Sequence, residues 1–413
     1  MEKSFSFQPT ILGNNYKEFS IPSWDSSVSN YENGKFKESF IDFLNYLDPK
    51  IYNEYSNIDK TIFTIPHGSI IVILKIENDI LFIETPFLKL PETKFMPILR
   101  KCSEINYSTM TLPRIKLEGD ILNFKYEMPI ELCNPWKLYD ILKNITFNAD
   151  KYDDEFVEKF GATRIIEPIV TEYSDEKMVE ILASCKAIAK ESLEYSQFYE
   201  TKRNLNSAID CIFIGISRLK MYSEPTGILL NKMNETIDSL YDNSNELFDK
   251  IKSGKNLFKF IDEINQEQFK NYCSINFSLI PDKRSVNRGF IKEWIEGHLF
   301  NAQKTIDEKN YPMSALYSYY ALCYLVCYFH IEDKDRKIIE YSFTKAANQP
   351  WKEAAIILEK AGDFFFQNTG EEFVFDKSYS GNLENDFSKA IQESVSQYKS
   401  LVSGFMSAFT GKK

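Results

Sequence analysis

The sequence predicts an α+β protein, in which an N-terminal antiparallel-sheet domain of order α-β-β-β-α-β-β-α is followed by an all-α C-terminal region. Three observations lead to this fold class. Residues 111–130, TLPRIKLEGDILNFKYEMPI, have the pattern of a strand, a two-residue turn and a strand. A β-rich block precedes them at 61–86. From residue 171 onward, helical periodicity has no competing strand signal.

Length and composition predict folded domains and argue against a duplex-binding protein. The 413 residues suffice for two or three domains, and a hydrophobic content of 43% is ample for buried cores. Sixty acidic residues against 49 basic ones give a net charge of −11. Because proteins that bind duplex phosphates normally present a basic face, we expect no nucleic-acid partner.

Three features favour a cytoplasmic location without membrane insertion. The N-terminus lacks a basic segment followed by a continuous apolar run, so no secretory signal is predicted. The most apolar window, 314–329, has sixteen uncharged residues, fewer than the roughly 20 that span a bilayer. A buried helix is therefore favoured there, with membrane association as the alternative. Seven cysteines without CxxC spacing suit reduced core thiols.

The N-terminal domain is predicted to begin after an irregular segment, 1–34, which holds scattered Ser, Asn and Pro. Residues 35–47 place Phe36, Phe40, Phe43 and Leu47 on one helical stripe, and Pro49 ends that helix. Turn residues then separate three predicted strands, at 61–66, 69–76 and 80–86.

The opening hairpin follows a predicted helix, 91–106, which Thr93 is positioned to cap. If Gly119 and Asp120 form the turn, one face of the hairpin is apolar and the other is polar. The apolar face comprises Ile115, Leu117, Leu122, Phe124, Tyr126 and Met128. We therefore expect a five-stranded antiparallel sheet covered on one side by helices. Pro135 begins the last helix of this domain and Gly161 ends it.

The two hairpins share a sequence pattern. KIENDILFI at 75–83 and KLEGDILNF at 116–124 are identical at five of nine positions. Independent use of favourable turn residues is one interpretation, and an old duplication is the other. Both interpretations place two hairpins in one domain.

Residues 35–162 resemble the YbjN family, which shares its fold with type III secretion chaperones. In that pattern a helix ending near an Ile/Leu-Asn pair precedes a hairpin of the form R-x-x-L-x-x-D-x-x-L-x-F, and a long helix closes the sheet. Arg114, Leu117, Asp120 and Phe124 lie approximately where the pattern has them. The resemblance implies a non-enzymatic, often dimeric, peptide- or protein-binding module, and it brings no catalytic residue to this chain.

The rest of the chain, from residue 169 onward, is predicted to be helical. The sequence therefore predicts four segments, 1–34, 35–168, 169–275 and 286–413, with a linker at 274–285. The predicted helices cover 174–203, 206–221, 226–253, 257–271, 287–307, 312–330, 351–366 and 384–409. Residues 307–322 have the Tyr and small-residue spacing of a tetratricopeptide-like hairpin, but no 34-residue period is visible. A helical bundle is therefore favoured over a repeat array.

Few residues are candidates for chemistry. His298 lies near Glu293 and Glu296 without an HExxH pair, and Cys323 and Cys327 are four residues apart. The acidic stretch 149–156 fits a solvated helix surface or a contact with Arg164 better than a calcium loop. Phosphate-binding and nucleophile motifs are missing from the sequence. We therefore assign no catalytic residue, metal or cofactor.

Two classes of function remain. The first is a chaperone- or adaptor-like protein of a bacterial multiprotein assembly, which binds protein partners or a second copy of itself. Its candidate binding surface comprises Ile71, Ile73, Ile80, Phe82, Tyr317, Tyr320 and Tyr324. The alternative is an enzyme with a site in the helical C-terminal half, around His298, Glu293, Glu296 and His330.

Overall fold

A computed structural model describes residues 2–11, 19–93, 95–281, 283, 288–331 and 333–367. The chain forms two compact units, one of residues 10–284 and the other of residues 1–9 with 285–413. The α+β class is confirmed. The predicted helix at 384–409 lies outside the described residues.

The larger unit begins with an α/β domain. Its helices are α1 (Ile21–Glu32), α2 (Phe36–Leu47), α3 (Pro49–Glu54), α4 (Met96–Ser108) and α5 (Pro135–Phe160). Its strands are β1 (Ile62–His67), β2 (Ile70–Glu77), β3 (Ile80–Lys89), β4 (Arg114–Glu118), β5 (Ile121–Pro129) and the short β6 (Thr163–Arg164). A single turn of 3₁₀ helix, Ile130–Leu132, leads into α5.

Helix α1 corrects the prediction that residues 1–34 are irregular. The Ser20 hydroxyl accepts a hydrogen bond from the Ser23 amide at the start of α1. The helix then packs on α2, where the hydroxyls of Ser27 and Ser39 each donate to the other's carbonyl, at 2.7 and 2.8 Å. Small polar residues therefore form part of this contact, beside the ring contacts of Trp24 with Phe43 and of Tyr31 with Phe36.

The predicted five-stranded antiparallel sheet is confirmed, in the order β1-β2-β3-β5-β4, and β6 pairs with the end of β3. One face packs on the helices to form the core. Its fully buried members include Phe43, Phe63, Leu74, Leu81, Ile83, Phe124, Ile141 and Ile145. Helix α5 ends as predicted, because Gly161 adopts a left-handed conformation with φ of 71°.

The β4–β5 hairpin has the predicted register, with Leu117 opposite Leu122 and Ile115 opposite Phe124. Leu117 therefore lies on the predicted face of the hairpin, but the expectation that it is buried there is wrong. Leu122 is buried, whereas Leu117 is 47% exposed. Strand β4 is at the edge of the sheet, and the helical cover that buries Ile115 does not extend to Leu117.

The start of α4 also differs from the prediction. Thr93 does not cap this helix, because α4 begins at Met96 and Phe95 occupies the N-cap position. Pro97 lies in the first turn. The N–H groups there have no acceptor within the helix, so the proline, which lacks an N–H, costs the helix no hydrogen bond.

The helical part of this unit follows α5. It comprises β7 (Val170–Thr171), α6 (Asp175–Thr201), α7 (Leu205–Ser223), α8 (Gly227–Tyr241), α9 (Leu247–Glu263), α10 (Gln266–Lys270) and β8 (Ile275–Asn276). The single helix predicted at 226–253 is in fact divided between α8 and α9. The Asp242 carboxylate accepts hydrogen bonds from the amide and hydroxyl of Ser244, and this local turn competes with helix.

The region predicted to be a linker, 274–285, is partly structured. Strand β8 pairs with β7, in a region where no strand was predicted. Leu279 and Ile280 are fully buried in the core of the α/β domain. The backbone amide of Leu279 donates to Nδ1 of the buried His67 at 3.0 Å.

The second unit contains α11 (Arg288–Asp307), α12 (Tyr311–Tyr328), α13 (Asp333–Ala346) and α14 (Trp351–Gln367), and α13 was not predicted. Phe5, from the N-terminal residues, is buried against the rings of Tyr319 and Trp351. Most of the inner face of α12 is buried, as predicted. No helix among the described residues is both long and apolar enough to cross a bilayer.

Candidate functional site

The part of the predicted binding surface that lies on the sheet, Ile71, Ile73, Ile80 and Phe82, is smaller than expected. Ile71 is buried, so it cannot contact a partner directly. Ile73, Ile80 and Phe82 are half-buried on the sheet face opposite the helices. Their cross-strand neighbours on this face include charged side chains: Lys75, Glu77, Glu84 and Glu127. The expected open apolar patch is therefore interrupted by charge.

Both edges of the sheet are partly occupied by the chain itself. At β1, the Thr64 amide donates to the Tyr55 carbonyl and the Asn57 amide donates to the Ile62 carbonyl. At β4, the side-chain amide of Asn106 accepts from the Ile115 N–H at 2.7 Å and donates to the Ile115 carbonyl at 2.9 Å. Asn106 thus replaces a partner strand at the centre of β4.

Replacing Asn106 by alanine should expose both backbone groups of Ile115. We expect the free energy of unfolding to fall by about 1–3 kcal/mol, because two hydrogen bonds are lost. We also expect concentration-dependent self-association through β4. Urea denaturation and analytical ultracentrifugation measure the two effects. Ser108→Ala, at the exposed end of α4, is the control, and an N106A protein as stable and as monomeric as this control would contradict the assignment.

The second half of the predicted surface forms one continuous feature with α11. We define the aromatic ladder as Phe290, Trp294, His298, Tyr317, Tyr320 and Tyr324. The Trp294 and Tyr324 rings stack with centroids 6.1 Å apart and an interplanar angle of 12°. The His298 and Tyr320 rings stack at 4.5 Å and 23°.

The ladder follows from the spacing of its residues. Phe290, Trp294 and His298 are separated by one helical turn each, and so lie on one side of α11. Helix α12 runs antiparallel to α11, and Tyr324 and Tyr320 meet this row at the same four-residue step. Burial of the imidazole lowers the pKa of His298, so the His298 ring is neutral at pH 7.

Part of this surface is open to solvent. Trp294 is 48% exposed, and Phe300, on the solvent side of α11, is 69% exposed. Helix α12 adds half-buried tyrosines and carries no charged residue between Tyr311 and Tyr328. The sequence predicted Tyr317, Tyr320 and Tyr324 as part of a binding surface, but not Phe290, Trp294 and Phe300. For Phe290 and Trp294, the four-residue spacing that they share with His298 was a signal.

The residues proposed for an enzyme do not converge. Glu293 and Glu296 are exposed, and Glu296 lies roughly 160° around α11 from His298. His330 follows the C-terminal end of α12. It lies about 15 Å along the axis of this helix from Tyr320, the residue that stacks on His298. These side chains therefore do not form a group that could share a proton transfer.

The acidic stretch on α5 is only partly solvated, because Asp153 is buried while Asp150, Asp154 and Glu155 are half-buried. The Asp153 carboxylate lies 3.3 Å from the Arg164 guanidinium, and Asp154 pairs with the same guanidinium. Asp150 accepts from both the amide and the hydroxyl of Ser69, at 2.8 and 2.9 Å. Burial raises the pKa of Asp153 and Asp154. The contact with Arg164 is present as predicted, and the cluster joins α5 to the sheet.

The other candidate ligands do not assemble into a site. Cys323 and Cys327 are both buried in α12. In the described part of the chain, no three His, Cys, Asp or Glu side chains are placed to hold a metal ion.

Two carboxyl groups on α14 predict a pH dependence. Burial raises the pKa of Glu359 to about 7 and that of Asp363 to about 6, and for Glu359 the charges of Asp363 and Asp307 add to the effect. The folded state therefore holds protons to higher pH than the unfolded state, so this contribution to stability falls as the pH rises from about 5 to 7.

Glu359→Gln should accordingly raise the free energy of unfolding at pH 8 by about 1 kcal/mol, after allowance for solvent screening. It should give no gain at pH 4.5, where the native carboxyl is already neutral. Chemical denaturation at the two pH values measures this difference. Glu353→Gln, at an exposed position of the same helix, is the control; an equal gain from both variants at pH 8 would rule out burial as the cause.

No protein-family model matches this sequence, and no curated protein is similar enough to it to count as a relative.

Proposed function

We propose that this chain is a non-enzymatic, adaptor- or chaperone-like protein, and that it binds a protein partner through α11 and α12, using the aromatic ladder and the exposed Phe300 on the solvent side of α11. The observation that carries the proposal is the row of stacked, partly exposed aromatic rings that α11 and α12 share. Tryptophan, tyrosine and phenylalanine supply most of the energetically important contacts of protein interfaces.

The arrangement distinguishes this surface from isolated exposed apolar residues of the chain. Ile58 and Tyr107 are almost fully exposed, yet they lie on different elements of the α/β domain. Single exposed apolar side chains are ordinary features of protein surfaces, whereas contiguous ones mark interaction sites. In the aromatic ladder, neighbouring rings are held in fixed orientations by stacking, so a partner would meet a preorganised surface.

The resemblance to YbjN-like and secretion-chaperone domains supports the same class of function. It leads us to propose a component of a bacterial multiprotein assembly that works in the cytoplasm. The partial occupation of both sheet edges favours binding through α11 and α12 over addition of a partner strand.

Site-specific photo-crosslinking tests the proposal. A photoreactive phenylalanine analogue at position 300 of the full-length chain should capture a discrete partner in living cells, because the side chain is exposed on α11, the helix that carries Trp294. The same analogue at position 107, which is 94% exposed on the α/β domain, is the matched control. Equal capture patterns at both positions, or none at position 300, would refute the proposed surface.

A further inference from the structure

The first residues of the chain contact the rest of the second unit as a peptide ligand would. Residues 3–7 form an antiparallel β-bridge with the loop between α13 and α14. The Ser4 amide donates to the Gln349 carbonyl at 2.8 Å, and the Asn348 amide donates to the Phe5 carbonyl at 3.1 Å. The Ser4 hydroxyl also donates to the carbonyl of the last residue of α13. These backbone contacts are those of a short strand added to an existing element.

Two phenylalanine rings anchor this segment. Phe5 is fully buried, and its ring lies edge-on to Tyr319 at 5.2 Å and to Trp351 at 6.0 Å between centroids. Phe7 contacts Phe343 at 5.4 Å, and Phe343 stacks on Tyr319. Alternate residues of an extended segment point to the same side, so Phe5 and Phe7 enter one aromatic pocket. We define the Phe5 groove as this pocket, lined by Tyr319, Phe343 and Trp351, together with the loop between α13 and α14.

The walls of the Phe5 groove belong to helices that pack on one another. Helix α14 packs on α11, α12 and α13. Leu322, Ile339 and Leu358, one from each of α12, α13 and α14, are fully buried. Residues 3–7, in contrast, are near a chain end and are held by local contacts, and such segments open at a lower free energy than the fold as a whole. We therefore expect the groove to stay formed when the segment leaves it.

We propose that the Phe5 groove is a peptide-binding site for a partner protein, and that residues 3–7 are its built-in competitor. The ligand that fits the groove is an extended segment with the pattern Phe-x-Phe, whose backbone pairs with the loop between α13 and α14. Phe5 marks the deeper anchor position, because its ring is fully buried whereas Phe7 is half-buried. The groove shares no residue with the aromatic ladder, so this inference goes beyond the proposed function and does not depend on it.

A second copy of the chain is a poorer occupant than a partner. Residues 3–7 of another copy offer the groove the same contacts as the chain's own segment and no further ones. The chain's own segment is tethered, which gives it an effective concentration on the order of millimolar. Another copy therefore does not displace it at ordinary protein concentrations, whereas a partner whose Phe-x-Phe segment makes additional contacts does.

Peptide binding to the full-length protein tests the proposal. The probe is a fluorescein-labelled peptide with the sequence of residues 2–9, EKSFSFQP. The double variant Phe5→Ala with Phe7→Ala lacks the competing anchors, so we expect it to bind the probe at least about tenfold more tightly than the wild type does. Phe248→Ala with Tyr107→Ala, which removes two exposed aromatic side chains elsewhere, is the control and should bind the probe as the wild type does.

Two altered peptides locate the contacts. Alanine at both phenylalanine positions of the probe should weaken binding to the double variant at least about tenfold, because the anchors are lost. N-methylation at the position of Ser4 removes the N–H that donates to the Gln349 carbonyl, and should weaken binding about tenfold. Equal binding of all three peptides would overturn the proposal, because the association would then be non-specific.

Hydrogen exchange of the wild-type protein gives a test that needs no substitution. The Asn348 amide, whose acceptor is the Phe5 carbonyl, should exchange at least about tenfold faster than the amides in the middle of α12. Exchange as slow as that of α12 would show that the segment leaves only when the unit unfolds, and would overturn the proposal. So would failure of the probe to bind the folded double variant. Crosslinking at position 300 reports on α11, so the two proposals fail separately.

Discussion

Replacement of Arg164 by methionine is expected to lower the free energy of unfolding by about 3–5 kcal/mol, because it leaves buried carboxylates without their counter-charge. The Arg164 guanidinium contacts both Asp153 and Asp154, and Asp153 is almost completely buried. Methionine retains an unbranched apolar side chain, so the loss of charge dominates over the loss of volume. Because burial raises the pKa of Asp153 to about 8, the effect is measured by urea denaturation followed by circular dichroism at pH 9, where the carboxyl groups are ionised.

The triple variant that adds Asp153→Asn and Asp154→Asn is the matched control. It removes the uncompensated charge, so it should recover most of the lost stability. The deficit of the single variant should also shrink as the pH falls from 8 to 5. Carboxyl groups with a raised pKa bind protons in the folded state at a pH where the unfolded chain has lost them. A single variant as unstable at pH 5 as at pH 8 would show that packing, rather than charge, is the cause.

The second large effect is expected for Phe124→Asp, which should prevent the α/β domain from folding. Phe124 is fully buried and packs edge-on against Phe87 with centroids 4.9 Å apart. Burying an unpaired carboxylate at this point costs on the order of 5 kcal/mol or more, comparable to the whole stability of a domain.

Leu117→Asp is the matched comparison, because Leu117 lies on the same hairpin with its side chain half in solvent. Its cost should stay below about 1 kcal/mol. Thermal melts of the two variants distinguish the positions. Equal destabilisation would show that the helical cover reaches Leu117 after all.

The elements that the sequence predicted well are those governed by short-range chemistry. The turn at Gly119 and Asp120 set the register of the β4–β5 hairpin, since a one-residue slip would turn every side chain to the other face. Gly161 ended α5 because a left-handed residue there costs glycine little.

The errors concern contacts made over long distances in the sequence. The exposure of Leu117 depends on how far the helices extend over the sheet, which the strand itself does not encode. The helix at Ile21–Glu32 is stabilised by Ser27 and Ser39, which a search for apolar stripes passes over. Leu279 is buried where its backbone amide donates a hydrogen bond to His67, more than 200 residues earlier in the chain.

In the candidate site, too, the residues that local sequence governs were predicted and those that depend on long-range contacts were not. Tyr317, Tyr320 and Tyr324 could be identified because one helix presents them on a single stripe. Trp294 could not, since its role depends on the pairing of α11 with α12. Ile71 was assigned to an open face, although the folded chain buries it.

The central claim is that the exposed aromatic surface of α11 and α12 serves binding. Trp294→Ser tests it most directly, in a chain that carries the photoreactive analogue at position 300. Trp294 is half exposed and stacks on one tyrosine, so the free energy of unfolding should fall by no more than about 1.5 kcal/mol. Crosslinking to the partner should fall at least about tenfold. Undiminished crosslinking by a folded Trp294→Ser protein would contradict the account.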